Sequence, residues 1–195
     1  MATGSPSDTA GLILSLASER PATLGAGRLI CVDGPAGSGK TTLGAELARR
    51  TGAQLVNGDD LMSGWRGLDA VGRQLTRVMQ ALAEGRTGHY LRYDWDLAAY
   101  VETVAVAPVP LLVLEGVGSG SRAHADLCTV LVWVEAPAEL RLSRGIERDG
   151  AALEEHWRQW MRNEAEHFAR EDTRARADLV VDGTGIHQPV NRWET

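Results

Sequence analysis

The chain reads Gly34-Pro35-Ala36-Gly37-Ser38-Gly39-Lys40-Thr41 directly after the predicted strand Leu29–Asp33 and before the helical pattern Leu43–Arg50. This octapeptide fits G-x-x-x-x-G-K-[ST], a pattern whose glycines let consecutive backbone N–H groups point inward at phosphate oxygens. The start of the following helix adds its partial positive charge. Strand, glycine-rich loop and helix stand in the order that the motif requires, so the sequence predicts a site for nucleotide phosphates.

Lys40 is the only lysine of the chain, and the other 19 of its 20 basic residues are arginine. A compact ammonium fits a tight backbone cradle that a planar guanidinium is too large to enter. We therefore expect Lys40 to reach the β- and γ-phosphates of ATP, and Thr41 to hold Mg²⁺. Thr42 extends the expected nucleotide site, and Gly183 and Thr184, after the last apolar run, could pass close to an adenine.

Five short apolar runs, mostly separated by helical patterns, predict a parallel sheet that is covered by helices on both faces. The runs are Leu29–Val32, Gln54–Val56, Leu111–Leu114, Val130–Val134 and Leu179–Val181. Helices are predicted over Ala10–Arg20, Leu43–Arg50, Leu68–Glu84, Ala138–Arg148 and Ala152–Arg170. The segment Val101–Ala107 is left open between a further strand and a loop. The expected fold class is α/β.

Carboxylates follow two of the predicted strands on the same edge of the sheet. Glu115 ends the run Leu111–Leu114, and the carboxyl ends of parallel strands line the ligand crevice of such sheets. Glu115 is therefore a candidate for holding Mg²⁺ or its water shell. Asp59 and Asp60 come just after Gln54–Val56, where one of them could accept the proton of an acceptor hydroxyl. An Asp-rich turn or a helix cap is the alternative.

Arginines and aromatic residues later in the chain supply further candidates. Arg141, Arg144 and Arg148 share one face of a predicted helix and could neutralise the charge of a transferring phosphoryl group. A solvated helix face is the alternative. The segment Tyr90–Trp95 combines rings for stacking on a base with an arginine and an acid for phosphate or hydroxyls. A structural corner is the alternative there.

Composition excludes several classes of protein. At 195 residues the chain has the length of about one domain, and its net charge of −6 argues against non-specific binding to nucleic acid or to an anionic membrane. No apolar run approaches the roughly 20 residues of a membrane span, and the first residues lack the basic region of a secretory signal. Cys31 and Cys128 lie in apolar runs without metal spacing, as is typical of a reducing compartment. We expect a cytoplasmic protein.

The order and approximate spacing of these motifs resemble the uridine kinase-like branch of the P-loop kinases over most of Arg28–Gly183. The matching stretches are the phosphate loop, Asp59-Asp60, Leu114-Glu115-Gly116, Arg141–Asp149 and Ala177–Val181. The resemblance implies a three-layer fold whose five-stranded parallel sheet has the order 2-3-1-4-5. It also implies an N-terminal extension 1–27 with a short helix and a kinase domain 28–195. That domain would contain a helical lid at about 138–150 and an acceptor-binding segment at about 61–100.

By the same resemblance, Asp59 matches the aspartate that activates the acceptor, and Arg144 and Arg148 match lid positions. With Lys40 these are the expected catalytic residues. The expected substrate contacts are Asp60, Trp65, Arg92, Tyr93, Asp94 and Arg141. The chain departs from the family after the aspartates, where Leu61-Met62 and then Trp65 stand in place of the usual aromatic residues.

The expected function is transfer of a phosphoryl group from Mg·ATP to a hydroxyl of a small molecule, a nucleoside by the resemblance. A nucleoside monophosphate kinase stays open, because arginines that could surround an acceptor phosphate are present at Arg66, Arg73, Arg77 and Arg92. An ATP-binding switch or ATPase without a small acceptor also stays open. A regulatory GTPase is excluded, because its N-K-x-D type of guanine motif needs a second lysine. A homodimer is left open.

Overall fold

The structure, a computed structural model, describes residues 6–191. Its helices are α1 (Pro6–Glu19), α2 (Lys40–Thr51), α3 (Leu68–Ala83), α4 (Ala138–Asp149), α5 (Glu154–Glu171) and α6 (Thr173–Arg176). Its strands are β1 (Arg28–Asp33), β2 (Gln54–Asn57), β3 (Gly88–Asp94), β4 (Ala99–Val106), β5 (Leu111–Glu115), β6 (Val130–Glu135), β7 (Leu179–Asp182) and β8 (Val190–Asn191). Within this part of the chain, no helix is both long and apolar enough to cross a membrane.

The central sheet contains the five predicted parallel strands in the order β2-β5-β1-β6-β7, which is the expected order 2-3-1-4-5. It has one strand more than expected, because β8 adds to the edge and pairs antiparallel with β7. A strand of two residues is too short to leave a periodic pattern in the sequence.

Each face of the sheet is covered by its own hydrophobic cluster, which gives the three expected layers. On one face, Ile13 of α1 and Leu47 of α2 pack with Val132 of the sheet. On the other face, α3 contributes Leu75 and α5 contributes Trp160. Because the central strands are buried on both faces, their side chains are apolar without alternation, and this is why they were recognisable in the sequence.

The N-terminal helix α1 packs on the body of the protein, as its apolar spacing predicts. Ala10, Ile13 and Ala17 are buried, and the helix contacts α2 and β6. It begins at Pro6, four residues earlier than predicted, and proline suits the first turn of a helix because its missing N–H would have no partner there. Residues 1–5 of the expected N-terminal extension lie outside the described residues.

Strands β3 and β4 form a separate antiparallel hairpin. The segment that the sequence left open, Val101–Ala107, is therefore largely strand, and Tyr90–Trp95 is strand followed by the hairpin turn. Gly88 and Tyr90 are buried in β3, which packs on α3, whereas most of β4 is exposed. A strand that is exposed on both sides lacks the alternation from which strands are recognised in a sequence.

Two helical glycines give a matched test of the packing between α4 and α5. An added Cβ at Gly145 would lie 2.4–2.6 Å from ring atoms of the buried Trp157, whereas a Cβ at Gly72 of α3 would meet nothing within 4 Å. We expect Gly145→Ala to lower the free energy of unfolding by about 1–3 kcal/mol, because the indole must move. Gly72→Ala should raise it by up to about 1 kcal/mol through helix propensity. Urea denaturation measures both, and equal stability of the two variants would contradict this packing.

Candidate active site

The loop between β1 and α2 has the shape of a phosphate cradle. Gly37 and Gly39 have φ values of 77° and 106°, a region that favours glycine, and a Cβ at Gly37 would lie 2.7 Å from the carbonyl oxygen of Arg141. Lys40 is only 7% exposed, and its Nζ donates to the carbonyl oxygen of Pro35 at 3.0 Å. The ammonium therefore reaches back across the loop, close to the N-terminus of α2, where phosphate oxygens bind in such loops.

The buried carboxylate of Asp33, which the sequence analysis did not single out, supports this loop from below. It accepts hydrogen bonds from the backbone N–H groups of Gly34 (2.7 Å), Gly118 (2.9 Å) and Gly120 (2.8 Å). Burial raises the pKa of Asp33 to about 6, and the three N–H donors and Lys40 oppose that shift. Asp33 thereby joins the start of the phosphate loop to the loop that follows β5.

Glu164 of α5, also missed in the sequence, holds the loop from the side. Its carboxylate accepts the N–H of Ala36 at 2.8 Å, Nη1 of Arg141 at 2.7 Å and the indole N–H of Trp160 at 3.0 Å. Arg141 in turn donates to the carbonyl oxygen of Ala36 at 3.2 Å. The Arg141–Glu164 ion pair therefore binds both the N–H and the carbonyl group of this loop residue. Arg141 lies outside the lining of the cleft, and its expected contact with substrate is replaced by this structural role.

Arg144 connects the phosphate loop to the loop after β7. Its Nη1 donates to the carbonyl oxygen of Gly37 at 3.0 Å, and its Nη2 donates to that of Gly183 at 3.2 Å. Gly183 leaves no room for a side chain, because an added Cβ would lie 1.8 Å from the carbonyl oxygen of Ser38. Arg144 lines the cleft as expected for a catalytic arginine, with its guanidinium bound to these backbone oxygens.

One cleft of about 1220 Å³ runs along the carboxyl edge of the sheet and past the loop. Most of the expected nucleotide-binding residues line it: Ala36, Gly37, Gly39, Lys40, Thr41, Thr42, Gly183 and Thr184. Gly34 and Ser38 lie outside the lining. Gly34 is packed against β6, where a Cβ would lie 2.0 Å from the carbonyl oxygen of Val134.

Thr41 and Glu115 meet in this cleft, where the sequence analysis expected a metal. The hydroxyl of Thr41 donates to Oε1 of Glu115 at 3.2 Å. Burial, together with the charges of Asp59 and Asp60, raises the pKa of Glu115 to about 7, while Lys40 and the Thr41 hydroxyl oppose the shift. A hydroxyl and a carboxylate are oxygen donors that suit Mg²⁺. Within residues 6–191 no group of three or more acidic, histidine or cysteine side chains is arranged to hold a metal ion.

Acidic and aromatic side chains also line this cleft, and we call the part that they form the acceptor end: Asp59, Asp60, Trp65, Trp95, Asp96, Asp149, Trp157 and Trp160. Asp59 and Asp60 lie in the short 3₁₀ turn Gly58–Leu61 after β2. Burial, and then the charges of Asp59 and Glu102, raises the pKa of Asp60, with Arg92 opposing the shift. The structure therefore brings the expected Asp59, Asp60 and Trp65 into the same cleft as Lys40.

The hairpin contributes to the acceptor end with its turn, not with the residues expected from the sequence. Asp94 caps the turn, because its Oδ1 accepts the N–H groups of Asp96 (3.0 Å) and Leu97 (2.9 Å). Arg92 is ion-paired with Glu102 on β4. Neither lines the cleft, so the structural corner that the sequence left open describes both residues.

The aromatic residues of the hairpin divide in the same way. Tyr93 packs edge-to-face on Trp95 and on Tyr100, outside the cleft lining. Trp95 lines the cleft and donates its indole N–H to the carbonyl oxygen of Asp59 at 3.2 Å. Its ring also packs at 5.7 Å from that of Trp65, in an edge-to-face arrangement. The resemblance implied Tyr93 as a substrate contact, whereas the hairpin turn places Trp95, the last residue of the same segment, at the cleft.

Among the side chains that the structure describes, Arg148 is the arginine that lines the acceptor end of the cleft. Its Nε and Nη2 donate to the two carboxylate oxygens of Asp149 at 2.7 and 3.0 Å. The guanidinium carbon lies 5.5 Å from the ring centre of Trp157, a distance typical of a cation–π contact. Arg148 thus lines the cleft as expected, although Asp149 competes with any phosphate for it.

The raised pKa of Glu115 gives a prediction for stability. The folded protein keeps a proton on Glu115 up to about pH 7, whereas the unfolded chain loses it near the ordinary value of 4.5. Unfolding between these values releases a proton, so the free energy of unfolding should fall as pH rises through this window. In Glu115→Gln, the decrease in the free energy of unfolding across this pH window should be smaller by about 3 kcal/mol.

Urea denaturation at a series of pH values from 4.5 to 7.5 measures this effect. Glu166→Gln, which removes an exposed carboxylate on α5, is the matched control for the loss of one acidic side chain. Parallel curves for the unsubstituted protein and Glu115→Gln would show that Glu115 titrates normally.

Comparisons with known proteins find relatives of this chain in sequence and in fold. A family profile described as an AAA domain matches residues 29–102, which include the phosphate loop and Asp59. A possible uridine kinase from Bacillus stearothermophilus superposes with a TM-score of 0.62 at 21% identity, covering 91% of this chain and 97% of that one. This likeness shows that the fold is shared.

Curated relatives add similarity in sequence. A uridine kinase from Mycoplasma pneumoniae is 30% identical over 115 residues, 55% of this chain and 54% of that protein, so the match spans about half of its length. A cytidylate kinase from Pyrobaculum arsenaticum is 30% identical over 165 residues, 81% of this chain and 77% of that protein. With the phosphate loop, the strand order and the carboxylates at the sheet edge, these matches show that the chain belongs to the P-loop nucleoside and nucleotide kinases.

Proposed function

We propose that the protein transfers the γ-phosphoryl group of Mg·ATP to a hydroxyl group of a small, unphosphorylated molecule, with nucleosides as the acceptors that the uridine kinase-like relatives suggest. The observation that carries the proposal is that Lys40 and Thr41 of the phosphate loop line the same cleft as Asp59. A kinase needs a nucleotide site and, beside it, a carboxylate in a space that is open to an acceptor. A nucleotide switch needs only the nucleotide site.

The donor end of the cleft has a role for each expected group. Backbone N–H groups of the loop and the ammonium of Lys40 would bind the phosphates, and Gly183 and Thr184 would border the base. Thr41 and Glu115 would hold Mg²⁺, which when bound neutralises phosphate charge. Arg144 and Arg148, whose guanidiniums lie along the cleft, would exchange their present partners for phosphate oxygens as α4 closes.

At the acceptor end, Asp59 is the proposed general base. It would accept the proton of the acceptor hydroxyl as the oxygen bonds to the phosphorus and ADP leaves. Asp59 lies close enough to Glu115 and Arg148 to affect the pKa of each, so it lies between the metal end and the proposed lid. Asp60, which is partly buried, would contact the acceptor.

A nucleoside monophosphate kinase fits the acceptor end less well. An acceptor phosphate needs free arginines, but Arg92 is paired with Glu102, Arg148 is paired with Asp149, and the acceptor end is lined by four carboxylates. The side chain of Arg66 lies outside the described residues. Coupled ADP release with nucleosides, nucleoside monophosphates, sugars and amino alcohols tests the proposal: an unphosphorylated acceptor should stimulate release, and ATP hydrolysis unaffected by any acceptor would contradict it.

Lys40 gives the first test of the donor end. Lys40→Ala should lower turnover by a factor on the order of 10²–10⁴ with the fold intact, because the ammonium stabilises charge on the transferring group. Lys40→Arg should be nearly as damaging, since a guanidinium does not fit a position that is 7% exposed. Steady-state rates and a circular dichroism spectrum on both variants measure this. Near-normal turnover in a folded Lys40→Arg protein would contradict the cradle.

Asp59 gives the test of the acceptor end. Asp59→Asn keeps the size of the side chain and removes the proton acceptor, so turnover should fall on the order of 10²–10⁴ while the affinity for ATP persists. Asp126→Asn, at an exposed carboxylate outside the cleft, is the matched control. If Asp60→Asn abolishes turnover and Asp59→Asn does not, Asp60 is the base.

A further inference from the structure

The acceptor end of the cleft carries more negative charge than the transfer of a phosphoryl group requires. Four carboxylates line it, from Asp59, Asp60, Asp96 and Asp149. The proposed reaction uses one of them as a base. Asp149 is neutralised by Arg148, to which it is bound through both oxygens. Asp60 is proposed to contact the acceptor, but neither Asp60 nor Asp96 takes part in the bond changes.

Among the side chains that the structure describes, the arginines of the hairpin and of the phosphate-loop support are paired with other carboxylates. Arg92 is paired with Glu102 along the hairpin, and Arg141 is paired with Glu164 under the phosphate loop. Burial raises the pKa of Asp60, and the nearby charge of Arg92, which is paired with Glu102, opposes that shift only in part. Closing the cleft over a neutral acceptor would remove still more water from these groups, at an electrostatic cost.

Indole rings stand beside the same carboxylates. Trp65 lies at the centre of a group of rings, with Trp95 at 5.7 Å and Trp157 at 5.8 Å between ring centres. Trp95 is 41% exposed and lines the cleft, so part of its surface is open to a ligand. The cleft already holds one cation over an indole, because the guanidinium of Arg148 lies over Trp157. Tryptophan is the ring that attracts cations most strongly.

We propose that the acceptor is a hydroxyl compound that also carries a protonated or quaternary nitrogen, such as an amino sugar, an aminonucleoside or an amino alcohol. The nitrogen would bind among the Trp65 and Trp95 rings and the carboxylates of Asp60 and Asp96. This inference rests on the proposed kinase function and narrows the acceptors of the same site, in place of the neutral nucleosides that the relatives suggest, to those that carry a positive charge. The nitrogen takes no part in the bond changes: the hydroxyl oxygen gains the phosphoryl group, its proton passes to Asp59, and ADP leaves.

The test uses probes that differ in charge but hardly in shape. Choline and its neutral isostere 3,3-dimethyl-1-butanol are titrated into the protein with Mg·ADP present, and tryptophan fluorescence reports binding. Choline should bind at least about tenfold more tightly. Asp96→Asn and Trp95→Leu should each reduce that preference several-fold, and Asp126→Asn should leave it unchanged.

ADP release with matched acceptors separates this inference from the proposed function. Glucosamine should give a higher kcat/KM than glucose, and amino alcohols a higher value than neutral nucleosides. If neutral acceptors are preferred, or if choline and its isostere bind equally, the inference is overturned while the kinase proposal stands. If phosphorylated acceptors are preferred, the inference is overturned together with the unphosphorylated acceptor of the proposed function. If no acceptor stimulates ADP release, the proposed function fails, and this inference fails with it.

Discussion

The phosphate loop is held in its shape by two buried carboxylates, and the rest of the site depends on them. Asp33 binds N–H groups of three glycines from below, and Glu164 binds the N–H of Ala36 from the side. Each carboxylate is desolvated, which costs free energy that the several charge-assisted hydrogen bonds offset. A loop fixed in this way does not have to be ordered by the nucleotide, so its N–H groups are available before the phosphates arrive.

The same contacts connect the two ends of the cleft. Glu164 belongs to α5, and on the neighbouring turn of that helix Trp160 donates its indole N–H to the same carboxylate. Trp157, one turn earlier, packs against Gly145 of α4 and lies under Arg148. The aromatic wall of the acceptor end, the arginine helix and the phosphate loop are therefore one packed unit. A substitution in these aromatic residues would therefore act on the phosphate loop through direct contacts, such as the Glu164 carboxylate that Trp160 and Ala36 share.

Local sequence patterns predicted those parts of the structure that local sequence determines. The phosphate loop, the continuous apolar strands and the carboxylates at strand ends were found because each is encoded within a few adjacent residues. Glu164 was missed because its partner Ala36 lies 128 residues away, and nothing in the helical pattern of α5 distinguishes an acid that faces the loop from one that faces solvent. Asp33 was missed for a related reason, since its partners Gly118 and Gly120 come from the loop after β5.

The acceptor end shows a different limit of sequence reasoning. The segment around Tyr90 had the right composition, but the identity of its ligand-facing residues depends on the hairpin turn, which places Trp95 and Asp96 in the cleft and uses Asp94 to cap itself. Arg141 was expected to contact the substrate, but in the structure it is paired with Glu164, which is remote in the sequence. Hydrogen-bond partners of charged side chains, more than their positions on a helix face, thus decide which of them are free for substrate.

Oxygen labelling during turnover tests the central claim most directly. In H₂¹⁸O with Mg·ATP and a pool of hydroxyl acceptors, the account predicts that the γ-phosphoryl group appears as an ester free of solvent oxygen, with little inorganic phosphate. Lys40→Ala should abolish the ester. Stoichiometric inorganic phosphate that carries one solvent ¹⁸O, with no ester formed, would show that water is the acceptor and would contradict the account.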